Sequence, residues 1–122
     1  MKLTRNFNLE EFRCNDGTDV PEHLMINVRK LAIELQKLRD ELGEPIHLNS
    51  GYRSPSWNKK VGGKPGSYHM KAMAADITVK SKSPKELNKV IQKMINEGKL
   101  HNGGVGLYPG FVHYDIGPSR RW

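Results

Sequence analysis

The apolar positions of the chain fall into two helical stripes and several short strand-like runs. Leu24, Val28, Leu31, Leu35, Leu38 and Leu42 recur every three or four residues and predict a long helix from about Pro21 to Leu42. Pro21 suits a first helical position, Gly43 supplies the stop, and Pro45 prevents continuation. A second stripe, Leu87, Val90, Ile91, Met94 and Ile95, follows Ser83-Pro84-Lys85-Glu86. That start combines a Ser cap, a Pro at the first position and a Glu at the third, and Gly98 closes the helix. Asn8-Leu9-Glu10-Glu11 reads as a short helix start with a capping box, anchored by Phe7 and Phe12.

Period-two alternation predicts strands at Ile46–Ser50 and Ala74–Val79. Two more, Val105–Tyr108 and Phe111–Ile116, flank Pro109-Gly110 and predict a hairpin. Between the first two strands lies Gly51 to Met73, with four Gly and two Pro. A stretch that long without a periodic pattern is expected to carry function. Helices and antiparallel strands in separate blocks give an α+β class, a small antiparallel sheet flanked by helices.

The length of 122 residues fits one domain spanning residues 1–122. A lone cysteine, Cys14, excludes an internal disulfide framework and a cysteine-based zinc finger, and reads as a small, partly buried residue. No apolar run approaches the roughly 18 residues of a membrane span. Met1–Asn6 lacks the apolar run of a signal peptide. The formal net charge of +7 suits an anionic partner: nucleic acid, a membrane surface or a bacterial wall polymer.

Two of the five histidines keep unusual company. His69 ends the Gly-rich stretch, and Asp76 follows seven residues later as a strand begins. A loop of that length can fold back and bring imidazole and carboxylate together. His113 lies in an apolar strand with Asp115 two residues on, so the two share a sheet face opposite Val112, Tyr114 and Ile116. Burying such a polar face is costly unless its groups are paired or bind a metal. His69, Asp76 and His113 suit a zinc ion with a fourth position open to water. A buried His–Asp hydrogen-bond network without metal satisfies the same pattern. His23 and His47 read as surface residues, and the spacing of His101 carries no signal.

The flanking residues sharpen the pattern. Ser50-Gly51-Tyr52-Arg53-Ser54, Asn58, Val61-Gly62-Gly63, Ser67-x-His69-x6-Asp76-Ile77 and Phe111-Val112-His113-Tyr114-Asp115 together resemble the zinc D,D-peptidases of bacterial cell walls. That family includes D-Ala-D-Ala carboxypeptidases, vancomycin-resistance dipeptidases and phage endolysins, and its fold is shared with the hedgehog signalling domain. The resemblance runs from about Phe7 onward. It implies a hedgehog/D,D-peptidase-like fold and zinc bound by His69, Asp76 and His113. It further implies that Arg53 steadies the oxyanion and that Ser67 lies near the bound peptide terminus.

Two positions depart from the family pattern. Ala72 stands where many relatives have Gly. Gly110 stands where several place an acidic general base, three residues before the last ligand. Asp115 is the nearest substitute, expected to orient or deprotonate the attacking water; the alternative is that it holds a ligand histidine from behind. Trp57 and Tyr68 either line a substrate groove or anchor the loop. Lys59, Lys60, Lys64 and Lys71 are either a solvated face or an attraction for anionic wall peptides and polymers. Arg120-Arg121-Trp122 carries no signal.

The function the resemblance implies is zinc-dependent hydrolysis of an amide in peptidoglycan stem peptides or cross-links, of D,D-carboxypeptidase or endolysin type. A noncatalytic zinc domain that binds a wall polymer or protein partner is the alternative, kept open by Gly110. A nucleic-acid module has only its charge in favour and no reading motif. The implied substrate lies outside the cytoplasmic membrane. With no visible export signal, delivery is expected through a phage or another secretion route.

Overall fold

A computed structural model describes residues 1–122. Its first elements are a short hairpin, β1 (Lys2–Thr4) and β2 (Phe7–Asn8), and a 3-10 turn over Leu9–Phe12. Asn8 and Glu11 form the expected capping box there. Phe7 and Phe12 are buried, with ring centroids 6.1 Å apart.

Helix α1 covers Met25–Leu42, preceded by a 3-10 turn over Glu22–Leu24. The predicted start at Pro21 is therefore four residues early: Pro21 has an extended ψ of 146° and enters the 3-10 turn instead. The end is as expected, with Gly43 in the left-handed conformation at φ 67°. Val28, Leu31, Leu35 and Leu38 are completely buried, and burial of each such side chain contributes about 1.5–3 kcal/mol. Helix α3 (Pro84–Asn96) follows the predicted stripe and carries the Ser83–Glu86 capping box.

The main sheet has five strands: β3 (His47–Ser50), β4 (Ala74–Thr78), β5 (Gly104–Leu107), β6 (Val112–Asp115) and β7 (Arg120–Arg121). Their order is β3-β4-β6-β5-β7. All neighbours are antiparallel except β5 and β7, which run parallel. The α+β class thus stands as expected, while β1, β2 and β7 were not foreseen. The long stretch after β3 is also less irregular than its composition suggests. It contains α2 (Pro55–Lys60), started by Ser54 with Pro55 at its first turn, and a 3-10 turn over Tyr68–Lys71.

Strand alternation divides the sheet chemically. Ala75, Ile77, Val105, Val112 and Tyr114 join the core with residues of α1 and α3. The intervening positions on the central strands, Asp76, His113 and Asp115, are buried polar groups on the other face. No helix is long and apolar enough to cross a membrane.

Candidate metal centre

Asp76 on β4 and His113 on β6 are direct cross-strand partners, so sheet register alone brings this pair together. His69 arrives from the 3-10 turn just before β4. Ser67 caps that turn, its hydroxyl accepting from the His69 amide at 3.2 Å. The turn ends at Ala72, which takes the left-handed conformation at φ 56°. The Gly-to-Ala departure thus falls at a positive-φ position, where a Cβ is unfavourable by roughly 1–2 kcal/mol.

His69 Nε2 and His113 Nδ1 each lie 3.2 Å from the same atom, Asp76 Oδ1. One donor atom from each of the three residues fits within 4.8 Å of the others. The far side of each ring fixes its proton. His69 Nδ1 is 2.8 Å from the Gly51 carbonyl, which can only accept. His113 Nε2 is 2.7 Å from Asp115 Oδ2, again an acceptor. In the neutral tautomers both protons are committed outward, and two bare nitrogens face one carboxylate oxygen. Three electron-rich atoms at this separation need a cation or additional protons between them. A tetrahedral ion with bonds of about 2.0–2.1 Å holds its ligand atoms roughly 3.3 Å apart, so the donor set fits zinc.

The electrostatics follow from this convergence. Without a metal, burial works against ionisation of Asp76, yet hydrogen bonds from His113 and His69 in their protonated forms outweigh it and hold its pKa down at about 2. Burial likewise opposes charge on His113, but Asp115 and Asp76 outweigh it and raise its pKa above the ordinary value. Arg53 supplies a fixed cation at the rim of the cluster. Its Nη2 donates to Asp76 Oδ2 at 3.3 Å, Nε to Ser50 at 3.2 Å and Nη1 to Asn58 at 3.3 Å.

Asp115 shares the His113 face, as alternation required, but it stands behind the ring. It meets the nitrogen that points away from Asp76, and it is completely buried. Its Oδ1 accepts from the Gly104 and Gly117 amides at 3.0 and 2.9 Å, and its Oδ2 also meets Arg120. Burial raises its pKa, but the bonds from His113, Gly117 and Gly104 win and keep it low.

The cluster lies at the floor of a cleft of about 650 Å³. Arg53, Ser67 and Tyr68 line the cleft with the three histidine and aspartate ligand candidates and Lys64. Trp57 does not line it: the ring packs against the core, with Lys60 Nζ 5.7 Å from its centroid. The indole anchors α2 because it lies on the helix side facing inward. Lys59, Lys60 and Lys71 are exposed away from the lining. Gly110 occupies the exposed hairpin turn, also outside the lining. His23, His47 and His101 are exposed, and His101 Nε2 bonds the Gly117 carbonyl at 3.0 Å. Cys14 is fully rather than partly buried.

Sequence reasoning missed one wall of the cleft. Tyr108, Arg120 and Trp122 line it beside Phe111. The available signal was slight: Arg120 and Trp122 alternate with Arg121, as residues on one strand face do.

Two imidazoles and one carboxylate at the floor of an open cleft define a metallohydrolase class of site. Residues 2–115 match the family model described as Peptidase M15, and the chain belongs to that family. The chain is also similar to the zinc D-Ala-D-Ala carboxypeptidase of Streptomyces albus G, at 32% identity over 126 residues. That match covers 96% of this chain and 48% of the relative, so the chain spans about half the length of the curated relative it matches.

Proposed function

We propose that this chain carries out zinc-dependent hydrolysis of an amide bond in peptidoglycan stem peptides or cross-links. The observation that carries the reading is the meeting of two imidazole nitrogens and one carboxylate oxygen, next to a fixed guanidinium, in an open cleft. His69 Nε2, Asp76 Oδ1 and His113 Nδ1 would hold the ion. When bound, zinc supplies Lewis acidity and lowers the pKa of water to about 7.

The chain's own residues do the rest. Arg53, braced by Ser50, Asn58 and Asp76, presents a positive charge where the carbonyl oxygen becomes an oxyanion. Ser67 and Tyr68 contact the peptide along the cleft. Asp115 keeps His113 in the tautomer that frees Nδ1, which is a positioning role rather than that of the general base. The cationic lining, with Lys64 at the rim, suits a carboxylate-bearing wall peptide and anionic wall polymers. The named activity of the Streptomyces relative supports a D,D bond as the target.

A noncatalytic zinc domain remains the second reading, favoured by one observation. Asp76 and Asp115 are the acidic residues of the lining, and both are already engaged, so no free carboxylate faces the cleft. Incubating the zinc-loaded protein with purified peptidoglycan, followed by mass analysis of released fragments, separates the two. Fragments that disappear in His69→Ala support hydrolysis. A folded, zinc-loaded protein that releases none overturns it in favour of binding.

A further inference from the structure

Strand β7 is two residues long and rich in charge, yet it reaches the centre of the site. It pairs in parallel with β5, Gly104 against Arg120 and Val105 against Arg121. Trp122 continues the pairing, its amide donating to the Val105 carbonyl at 3.1 Å while its own carbonyl accepts from Leu107 at 2.8 Å. Alternation then sends Arg120 and Trp122 into the cleft and Arg121 to the opposite side. Arg121 bonds Gln92 of α3 at 2.9 Å and Asn102 at 2.6 Å.

Arg120 is held on three sides. Its guanidinium stacks between Tyr68 and Trp122, at 5.0 and 4.9 Å from their ring centroids, and pairs with Asp115 Oδ2. Trp122 lies 5.0 Å from the His113 ring and donates its indole N–H to the Tyr108 hydroxyl at 2.8 Å. Strand β5 makes room for this. A side chain at Gly104 would run into Asp115 and Arg120, and one at Gly106 would run into the Trp122 ring. Both glycines are thus required by close approach rather than by backbone conformation.

Without Arg120, the only permanently charged cation on Asp115 disappears. The carboxylate is completely buried, and its other partners are two backbone amides and an imidazole. A buried anion without a counter-charge is costly, so the group shifts toward a better environment. His113 is held by that same oxygen, and its metal-facing nitrogen moves with it.

We propose that β7 is part of the metal centre, with Arg120 a positioning residue that locks Asp115 behind His113 and Trp122 the wall that keeps that guanidinium in place. The inference rests on the reading of His69, Asp76 and His113 as zinc ligands. The test is the zinc affinity of four proteins, measured by competition with a chromogenic chelator: unaltered, Arg120→Gln, Arg120→Lys and Arg121→Gln. The visible spectrum of each cobalt-loaded form is recorded alongside.

Arg120→Gln is expected to bind zinc about tenfold more weakly, the lower end of effects from groups that support metal ligands, with an altered cobalt spectrum. Arg120→Lys keeps the charge but loses the planar stack, and falls between that variant and the unaltered protein. Arg121→Gln removes the same charge from the same strand and keeps full affinity. Equal affinities for Arg120→Gln and the unaltered protein overturn the inference, as does an equal loss in Arg121→Gln, which would mean that β7 matters only for packing. If Arg120→Gln does not fold, Arg120→Lys decides, and unchanged affinity there overturns it. Failure of the unaltered protein to bind zinc sinks the metal reading itself, whereas binding without dependence on Arg120 sinks this inference alone.

Discussion

Asp115 Oδ2 sits 2.7 Å from His113 Nε2, across the imidazole from the nitrogen that faces Asp76. A carboxylate there is placed to orient the ring and lies away from the side on which a metal-bound water would sit. Asp115→Asn is therefore expected to weaken zinc binding about 10- to 100-fold. Activity should recover substantially when zinc is supplied in excess. Zinc titration combined with turnover checks this, since a general base lost by the same substitution would leave affinity unchanged and no activity to recover.

His69→Ala removes one of three ligands and leaves the Gly51 carbonyl without its donor. Metal content of the purified protein, measured by mass spectrometry, should fall from about one zinc per chain to a small fraction, with turnover lost in parallel. Retention of stoichiometric zinc would refute the ligand assignment.

Arg53→Ala should lower kcat by about 10²- to 10³-fold, as expected for loss of one oxyanion partner, while KM changes little. Steady-state kinetics on a stem-peptide substrate give that split. The zinc content of this variant serves as the control, because Arg53 also pairs with Asp76.

Stability of the metal-free protein should depend on pH at both ends. The Asp76 pKa is depressed from 3.8 to about 2 in the folded state. Its stabilising contribution is thus complete above pH 3.8 and lost as pH falls toward 2, a loss on the order of 2 kcal/mol. The His113 pKa is raised from 6.5. Its contribution is complete below that value and disappears as pH rises through the folded pKa. Urea unfolding of chelator-treated protein across this range should show a maximum in mildly acidic solution. A flat profile would contradict the ionic coupling of His113, Asp76 and His69.

The two long helices were legible because each buries a stripe with its own start and stop signals. Helix α2 was not, because six residues are too few for a period to show. Strand β7 was hidden for a different reason: it is two arginines, and its partners in β5 are chosen by backbone bonds and by the space at Gly104 and Gly106. No local pattern in the chain encodes such a pairing. Within the site, alternation placed Asp115 on the His113 face but held no information on depth. Which side of an imidazole a carboxylate occupies depends on side-chain torsions and on the Gly104 and Gly117 amides. Trp57 illustrates the same limit, since a short loop helix can turn an aromatic ring either way.

The meeting of His69, Asp76 and His113 bears on more than reactivity. Only the folded chain gathers His69, Asp76 and His113 to one point, so only the folded state offers an ion a complete set of ligands. Zinc bound there acts as a folding ligand, adding about 2.7 kcal/mol when free metal exceeds the dissociation constant a hundredfold. The lifetime of this protein among proteases should then rise with the zinc available around it and shorten on chelation.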